Sequence, residues 1–527
     1  MLSNCRPQLA YYTPETTGFW AGPIEVDICI YGATSAGVIA AVEAARGGRR
    51  VCLLANGAHL GGLTASGLGN TDIGNKHVIG GLAGDFYRRI GARYGKEAQW
   101  RFEPHVAAAV FRELLQEAGV VPVCGQFVEA VGKEEGRITE IRCVGGLRVR
   151  AGCYIDASYE GDLMAMAGVP FTVGREGNEV YGELLNGVQM RETHQFEFRV
   201  SPWRREGNAS SGLLPGIEAG PPGLQGSGDH LVQAYNFRMC LTAGPDRVPF
   251  PRPADYRPDH YELLARYLRG GWRQLFRKFD TIPGGKTDTN NHGAVSTDFI
   301  GGSHAYPNAS YHERELIYQE HVNYQQGLMW FLCHDERCPV EVRKAMGAWG
   351  LAGDEFEDTG HWPPQLYIRE ARRMVGDYVI TEHDCRGYRQ AEDSVGCGAY
   401  AMDSHNCRRV VAGDRVLNEG DVQTGGFAPY PISFRTIIPP RGSVENLLVP
   451  VCLSASHIAF GSVRMEPVFM VLGQSAAIAA RRSLESNCSV QDLEYAGLRR
   501  GLEAAGQVLS VNVDDDLDRQ KWEVGVV

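Results

Sequence analysis

The chain lacks a bilayer-length apolar run, lacks a tight cysteine pair and has no excess of basic charge. Its most apolar segment near the C-terminal end, residues 468–480, is broken by Gly473, Gln474 and Ser475 and closed by Arg481 and Arg482. That is short of the roughly 20 residues a membrane span needs, so the segment reads as a buried helix and no membrane partner is expected. Fourteen cysteines are present, yet none forms Cys-x-x-Cys, and the nearest pairs are Cys333 with Cys338 and Cys397 with Cys407. This excludes the spacing that iron–sulfur clusters and structural zinc use, and no metal is expected. Cys29, Cys52 and Cys452 sit in apolar strands, where a reduced thiol serves as a small hydrophobe and suits a reducing compartment. Lys plus Arg number 52 against 63 Asp plus Glu, a net charge of -11, which leaves no basis for a nucleic-acid partner. Residues 1–26 carry Pro7, Pro14 and Pro23 and no basic start before an apolar core, so a secretory signal is not expected and the placement reads as cytoplasmic. The acidic stretch Asp514–Asp518 reads as solvated tail. No internal repeat or low-complexity tract is present.

What is there begins with a βαβ unit. The run Val26–Ile30 has the composition of a buried parallel strand. Gly32–Gly37 form a turn, and a helix from Val38 to Arg46 carries Ala40, Ala41, Ala44 and Ala45, small enough to lie close to a sheet. Gly47 and Gly48 end it, and Val51–Leu54 supply the second strand. A glycine-dense stretch follows from Gly57 to Gly84. A helix is predicted near 105–118, then strands at 120–123, 127–131, 138–144 and 147–149 forming a small antiparallel meander, and a return to the parallel sheet at Cys153–Asp156. From Phe171 to about Pro429 the βαβ pattern disappears, prolines and aromatics cluster, and helices are predicted at 256–269, 313–332 and 340–348. After Ser433 a strand at 447–453, a polar loop and a helix at 466–481 restore it. The expected fold is α/β: a Rossmann-like dinucleotide domain, discontinuous over 24–170 and 430–485, with an α+β substrate or cap domain at 171–429 and a C-terminal helix and tail at 486–527.

Strand, glycine turn and helix together make a phosphate site, because the first helical amides are unpaired and the helix dipole favours an anion there. Gly32 permits the turn and Gly37 close packing. The pattern Gly32-Ala33-Thr34-Ser35-Ala36-Gly37 has Thr34 where a middle glycine is usual. The acidic residue expected at the end of the second strand for a ribose is absent: Ala55 stands there, and Asn56, one place late, is the substitute.

Five segments, HLGGLTASGLGNTDIGNK (59–76), YIDASYEGDLMAMAGV (154–169), QAYNFRMCLT (233–242), REARRMVGDYVITEHD (369–384) and ENLLVPVCLSASHIAFGSVRMEPVFMVLGQSAA (445–477), resemble a bacterial FAD-dependent oxidoreductase family. That family is grouped with the flavin subunit of heterodisulfide reductase among the glutathione-reductase-like flavoproteins. The resemblance implies FAD as cofactor. It implies that Gly32, Thr34, Ala36 and Gly37, with Ser35 between them, hold the pyrophosphate. It further implies that His59, Gly61, Gly62, Leu63 and Thr64 run beneath the flavin, that Phe127 and Val128 meet adenine, and that Asp156 and Ala157 close the cleft. Ser462, Arg464, Met465 and Glu466 would lie at the ribityl and pyrimidine end.

The helix start after residue 464 suits stabilisation of negative charge on the flavin, and Arg464 either adds to it or pairs with Glu466 or another carboxylate. Removing a proton while hydride moves to flavin N5 suits a histidine, and His457 and His292 stand in polar loops. Arg435, after the aromatic loop 427–434, is a pocket-lining candidate or part of the packing. Arg369, Arg372 and Arg373, with Glu370 among them, read either as a grip on an anion or as a salt-bridged helix face. The expected activity is oxidation of a C–H bond beside oxygen or nitrogen in a small polar molecule, passing electrons to an unidentified acceptor. The alternatives are reduction of an activated double bond and a dinucleotide-binding subunit without chemistry.

Overall fold

The computed structural model describes residues 9–13 and 22–510; the acidic stretch 514–518 and residues 1–8 and 14–21 of the N-terminal segment lie outside them. Strand β1 (Ile24–Tyr31) and β2 (Val51–Leu54) run parallel, joined through helix α1 (Ser35–Arg46), with Cys29 opposite Cys52 and Tyr31 opposite Leu54. Helices α2 (Gly81–Arg93) and α3 (Pro104–Glu117) follow. The chain then makes an antiparallel meander of β3 (Val128–Glu134), β4 (Arg137–Cys143) and β5 (Arg148–Asp156).

β5 is the strand on which the architecture turns. Its first residues pair with β4, most of its length pairs in parallel with β1, and on the edge that β4 leaves free Tyr154 and Ile155 take the parallel strand Leu447–Leu448. On the other side Val123 bridges Leu54 in parallel. The spatial order is therefore Val123, β2, β1, β5 and Leu447–Leu448, a Rossmann-like parallel sheet with the meander growing from one of its strands.

Successive strand residues point to opposite faces. Ile28, Ile30, Leu53, Cys153 and Ile155 join the core under α1, α2 and α3, whereas Cys29, Tyr31, Cys52, Leu54 and Tyr154 join the one under the meander. Both faces are covered, which is why β1 reads as an unbroken apolar run. The late helix Glu466–Ser486 packs along α1. Gly473 permits this: a Cβ there would fall 2.3 Å from the Ala36 carbonyl oxygen.

The middle region builds a separate antiparallel sheet in the order Phe279–Ile282, Lys286–Thr289, Met239–Thr242, Gly350–Leu351. The long helix Tyr311–His334 starts at reciprocal bonds between Ser310 and Glu313. Gln325 on that helix bonds both the N–H and the C=O of Phe237.

Several local expectations change. The helix predicted over 256–269 divides into a 3-10 turn at Pro258–Tyr261 and a helix at Glu262–Arg269. The strand predicted at 447–453 pairs only at Leu447–Leu448, because β5 ends at Asp156 and offers no further edge. Residues 369–372 are not helical at all. Their spacing suits a helix face, but Asp298, Asp162 and Glu176 take Arg369, Arg372 and Arg373 one by one from distant parts of the chain. Among the described residues no helix is long and apolar enough to cross a membrane.

Gly473→Val would force the late helix away from α1. Overpacking of this kind costs about 1–3 kcal/mol, so thermal unfolding should begin several degrees lower; an unchanged midpoint would contradict the close contact.

Candidate active site

At the C-terminal ends of the parallel strands, where ligands of open α/β sheets bind, the surface opens into a cleft of about 1190 Å³. Gly32, Ala33 and Thr34, residues 55–59, Gly62, Cys124, Gly125 and residues 158–160 line it. The segment 9–13 borders it as well: the Tyr11 and Tyr12 amides donate to the Glu315 carboxylate at 2.7 and 2.8 Å.

The floor of the cleft is a cradle of close backbone contacts. Gly32 has φ +96°, and a Cβ there would meet the Ser158 nitrogen at 2.6 Å. A Cβ on Gly37 would lie 1.8 Å from the Gly32 carbonyl oxygen. Thr34 caps α1, accepting from the Gly37 amide at 3.3 Å and donating to the Ala157 carbonyl at 2.7 Å. Its side chain thus turns toward the end of β5, which explains how threonine serves where a glycine is usual. The amides of Ser35 and Ala36 precede any intrahelical acceptor, and the helix dipole adds to them. These residues fit the diphosphate of a dinucleotide.

Around this cradle Asn56 is in the cleft wall, its amide nitrogen donating to the Tyr31 hydroxyl at 3.0 Å. His59 stands on the rim, paired with Asp358 at 2.9 Å. Gly61, also left-handed, donates its N–H to the Ala33 carbonyl at 2.8 Å and abuts Phe111.

Tyr159 lines both this cleft and a narrow inner cavity with free room for about one water. Its hydroxyl accepts from the Leu63 amide at 3.0 Å and donates to Glu466 at 2.7 Å, while Thr64 donates to the other oxygen of Glu466 at 2.7 Å. Burial raises the Glu466 carboxyl above its usual range. The rest of the inner wall includes Tyr367, Arg369, Glu370, Phe460, Arg464 and Phe469.

Charged groups there are held in a connected set. Arg464 donates to the Tyr367 hydroxyl at 2.9 Å and to Asp403 at 3.0 Å. Arg369 donates to Asp298 at 2.9 Å, and His405 lies between Asp298 at 2.7 Å and Asp403 at 3.5 Å. Burial opposes ionisation of Asp403, but His405 and Arg464 outweigh it and hold its carboxyl far below the ordinary range. Glu370 accepts from Gln233 at 2.8 Å and pairs with His457 Nδ1 at 2.7 Å; Arg373 touches its other oxygen. His457 Nε2 meets the Ser404 hydroxyl at 2.9 Å. Burial, and then the charge of Arg373, lower the His457 imidazole to about 3, so it is neutral at pH 7 and its Nδ1–H donates to Glu370.

The structure thus brings Gly32, Thr34, Asn56, His59 and Gly62 together on the cleft and Leu63, Arg464 and Glu466 on the inner cavity. Ser35, Ala36, Gly37 and Ala157 form the cradle behind. Other expected site residues stand elsewhere. Phe127 packs against Tyr11, Tyr12 and Tyr311, and the Val128 carbonyl already accepts from Tyr311 at 2.7 Å, so Cys124 and Gly125 border the cleft instead. Asp156 is turned inward to the Ser158 hydroxyl and the Met164 amide, and burial pushes it up to about 6. Ser462 accepts from Tyr430 at 2.7 Å, and Met465 is buried as the residue before the late helix. His292 bonds Gln274 at 3.0 Å and borders neither cavity; burial lowers it to about 4. Arg435 is half-exposed, paired with Asp393 over the Tyr378 ring, and also borders neither. His457 is behind Glu370 rather than on the cavity. Arg464 lines the inner cavity and pairs with a carboxylate, Asp403 rather than Glu466.

Sequence reasoning missed Tyr159, Tyr367 and Glu370 as cavity residues, and Asp298 and Asp403 as the partners of Arg369 and Arg464. Tyr159 follows Asp156-Ala157 inside a quoted motif, so its nearness was available; the carboxylate partners come from loops with no signature. Among the described residues Glu103, His105, Asp354 and Glu355 come within metal-ligand spacing. The Lys286 ammonium already sits among these acids, 2.8 Å from Glu103, 2.6 Å from Asp354 and 2.9 Å from Glu355.

A family model described as FAD dependent oxidoreductase matches residues 27–502. No curated protein matches the sequence. Among solved structures, an L-amino acid deaminase from Proteus vulgaris is similar at 14% identity over 31% of this chain and 54% of its own, with a TM-score of 0.24. L-proline dehydrogenase from P. horikoshii is similar at 16% identity over 30% of this chain and 59% of its own, TM-score 0.24. A 3-ketosteroid dehydrogenase from Rhodococcus jostii is similar at 17% identity over 32% and 53%, TM-score 0.21. The matches span a little over half the length of each of these structures.

Gly32→Ala should give a folded protein that purifies without yellow colour, because its Cβ displaces residues 157–158 from the cradle; full cofactor content by absorbance would contradict this. The lowered His457 pKa means the unfolded chain takes the proton more readily. Its contribution to stability is therefore complete above about pH 6.5 and falls, by up to about 1.4 kcal/mol per pH unit, as pH drops toward 3. His457→Gln should flatten the acid limb of stability measured by urea unfolding between pH 7 and 4.5.

Proposed function

The chain belongs to the FAD dependent oxidoreductase family, and on that premise we propose that it oxidises a C–H bond next to oxygen or nitrogen in a small polar molecule. FAD supplies the two-electron acceptor. The cradle at Gly32–Gly37 holds its diphosphate through backbone amides, and Asn56 and residues 124–125 border the nucleoside end. Leu63, Thr64, Tyr159 and Glu466 stand where the cleft gives way to the inner cavity. Arg464, at the start of the late helix, adds a full positive charge to the helix dipole and supports negative charge that develops nearby.

The observation that carries this reading is the position of Glu370. Its carboxylate is buried in the wall of a cavity that adjoins the dinucleotide cleft and is held by Gln233, His457 and Arg373. Oxidising an alcohol or amine requires a group to take one proton while hydride leaves carbon, and Glu370 is the carboxylate placed for it. His457 acts through Glu370: as a neutral donor it fixes one carboxylate oxygen, with Ser404 fixing the imidazole in turn. Sequence reasoning cast His457 as the base; the reading here makes it a positioning residue.

The test is anaerobic mixing of the yellow holoprotein with a panel of small alcohols and amines, following loss of visible absorbance. At least one member should bleach it, and Glu370→Gln should slow bleaching by about a hundredfold or more. His457→Gln should slow it less and move its pH profile. If only an activated double bond exchanges electrons with the reduced protein, the reaction runs in the reductive direction and this assignment falls.

A further inference from the structure

We propose that the inner cavity binds its substrate by a carboxylate, gripped by Arg369 and Arg464 across the face of Tyr367. The two guanidinium carbons lie 4.8 and 5.7 Å from the Tyr367 ring centre, and both side chains are buried, 1% and 4% exposed. Arg369 gives its terminal nitrogens to the Ala234 carbonyl and Asp298; Arg464 gives its own to Tyr367 and Asp403. In each the Nε–H has no hydrogen-bond partner. Arg238 stacks on the same ring at 5.7 Å, with Asp288 and Asp72 as its carboxylate partners.

A buried donor without an acceptor is costly. Two of them over one aromatic ring, both in the wall of the cavity, describe a place whose acceptors arrive with the ligand. A planar anion with two oxygens matches guanidinium donors in both charge and geometry, which a hydroxyl does not. Glu370 follows Arg369 directly in the chain and stands in the same wall. A substrate anchored through its carboxylate would present the adjacent carbon's hydroxyl or amine to Glu370. The substrate class is then a 2-hydroxy or 2-amino carboxylate. It loses hydride, with two electrons, from carbon to FAD and a proton from oxygen or nitrogen to Glu370, leaving the 2-oxo or 2-imino acid. This presupposes the oxidation proposed above.

The probes are acetate and its neutral isostere acetamide, titrated separately into the holoprotein while the visible spectrum of bound FAD is followed. Acetate should perturb the spectrum saturably and acetamide bind at least tenfold more weakly. Arg369→Gln should lose acetate binding by tenfold or more while FAD absorbance stays, and Arg369→Lys should recover part of it. Equal binding of the two probes, or an Arg369→Gln protein that binds acetate normally, overturns the assignment. The wild-type comparison needs no variant and decides even if Arg369→Gln fails to fold. Acetate binding without bleaching by any alcohol or amine would leave the anchor standing and remove the oxidation; bleaching by neutral alcohols alone would do the reverse.

Discussion

Three contacts in which backbone occupies the space of a missing side chain hold the cofactor half of the molecule together. Gly32 rests on the chain at Ala157–Ser158, Gly37 on the carbonyl of Gly32, and Gly473 on the carbonyl of Ala36. The first two bring the opening turn of α1 onto the end of β5, so that amides with no helical acceptor stand beside a cleft. The third seats the late helix on α1, and with it the carboxylate of Glu466 reaches Thr64 across 402 residues of sequence and Tyr159 across 307. Without that approach the floor of the cleft and the wall of the inner cavity would belong to unconnected segments.

The inner cavity rests on a different kind of interaction. Arg238 with Asp288, Arg369 with Asp298, Arg464 with Asp403 and Arg314 with Asp162 are all buried pairs. Burying two charges costs desolvation that their attraction does not reliably repay, yet removing one partner costs about 3–5 kcal/mol because the other is stranded. Such pairs are poor sources of stability and strong fixers of geometry. Each joins segments far apart in the chain, and each sets the plane of a guanidinium. Asp162 takes both Arg314 and Arg372, locking the long helix and the 369–374 segment to the loop after β5.

The Rossmann-like sheet was readable because its determinants are local. An apolar run covered on both faces, a glycine turn and a small-residue helix follow one another over residues 24–46, and their periodicities do not depend on distant partners. The phosphate cradle was readable for the same reason. The inner cavity was not. Arg369, Glu370, Arg372 and Arg373 have helical spacing, and only carboxylates on other loops pull them into an extended buried segment. His292 has the polar neighbours of a site histidine, but its own ring bonds Gln274 and it borders neither cavity. Arg435 follows an aromatic loop that packs inward while its own side chain turns out to Asp393. Residue type and local polarity cannot distinguish a charged group facing a cavity from one facing another loop, because that depends on which loop arrives.

The two halves of the site therefore recognise by different means, and Tyr159 is their joint. Along the cleft the partners are backbone amides whose position follows from the path of the chain; a side-chain substitution there acts mainly by disturbing that path. In the inner cavity the partners are side-chain charges whose position follows from other side chains. Tyr367, Arg369 and Glu370 are held by those side chains and not by the strand ends or the first turn of α1. Tyr159 touches both systems, since one hydroxyl takes the Leu63 amide from the glycine loop and reaches Glu466 on the late helix. Displacing that hydroxyl frees an amide donor and a carboxylate oxygen together. The junction between the two cavities is thus the point at which what enters one has polar partners to take over from the other.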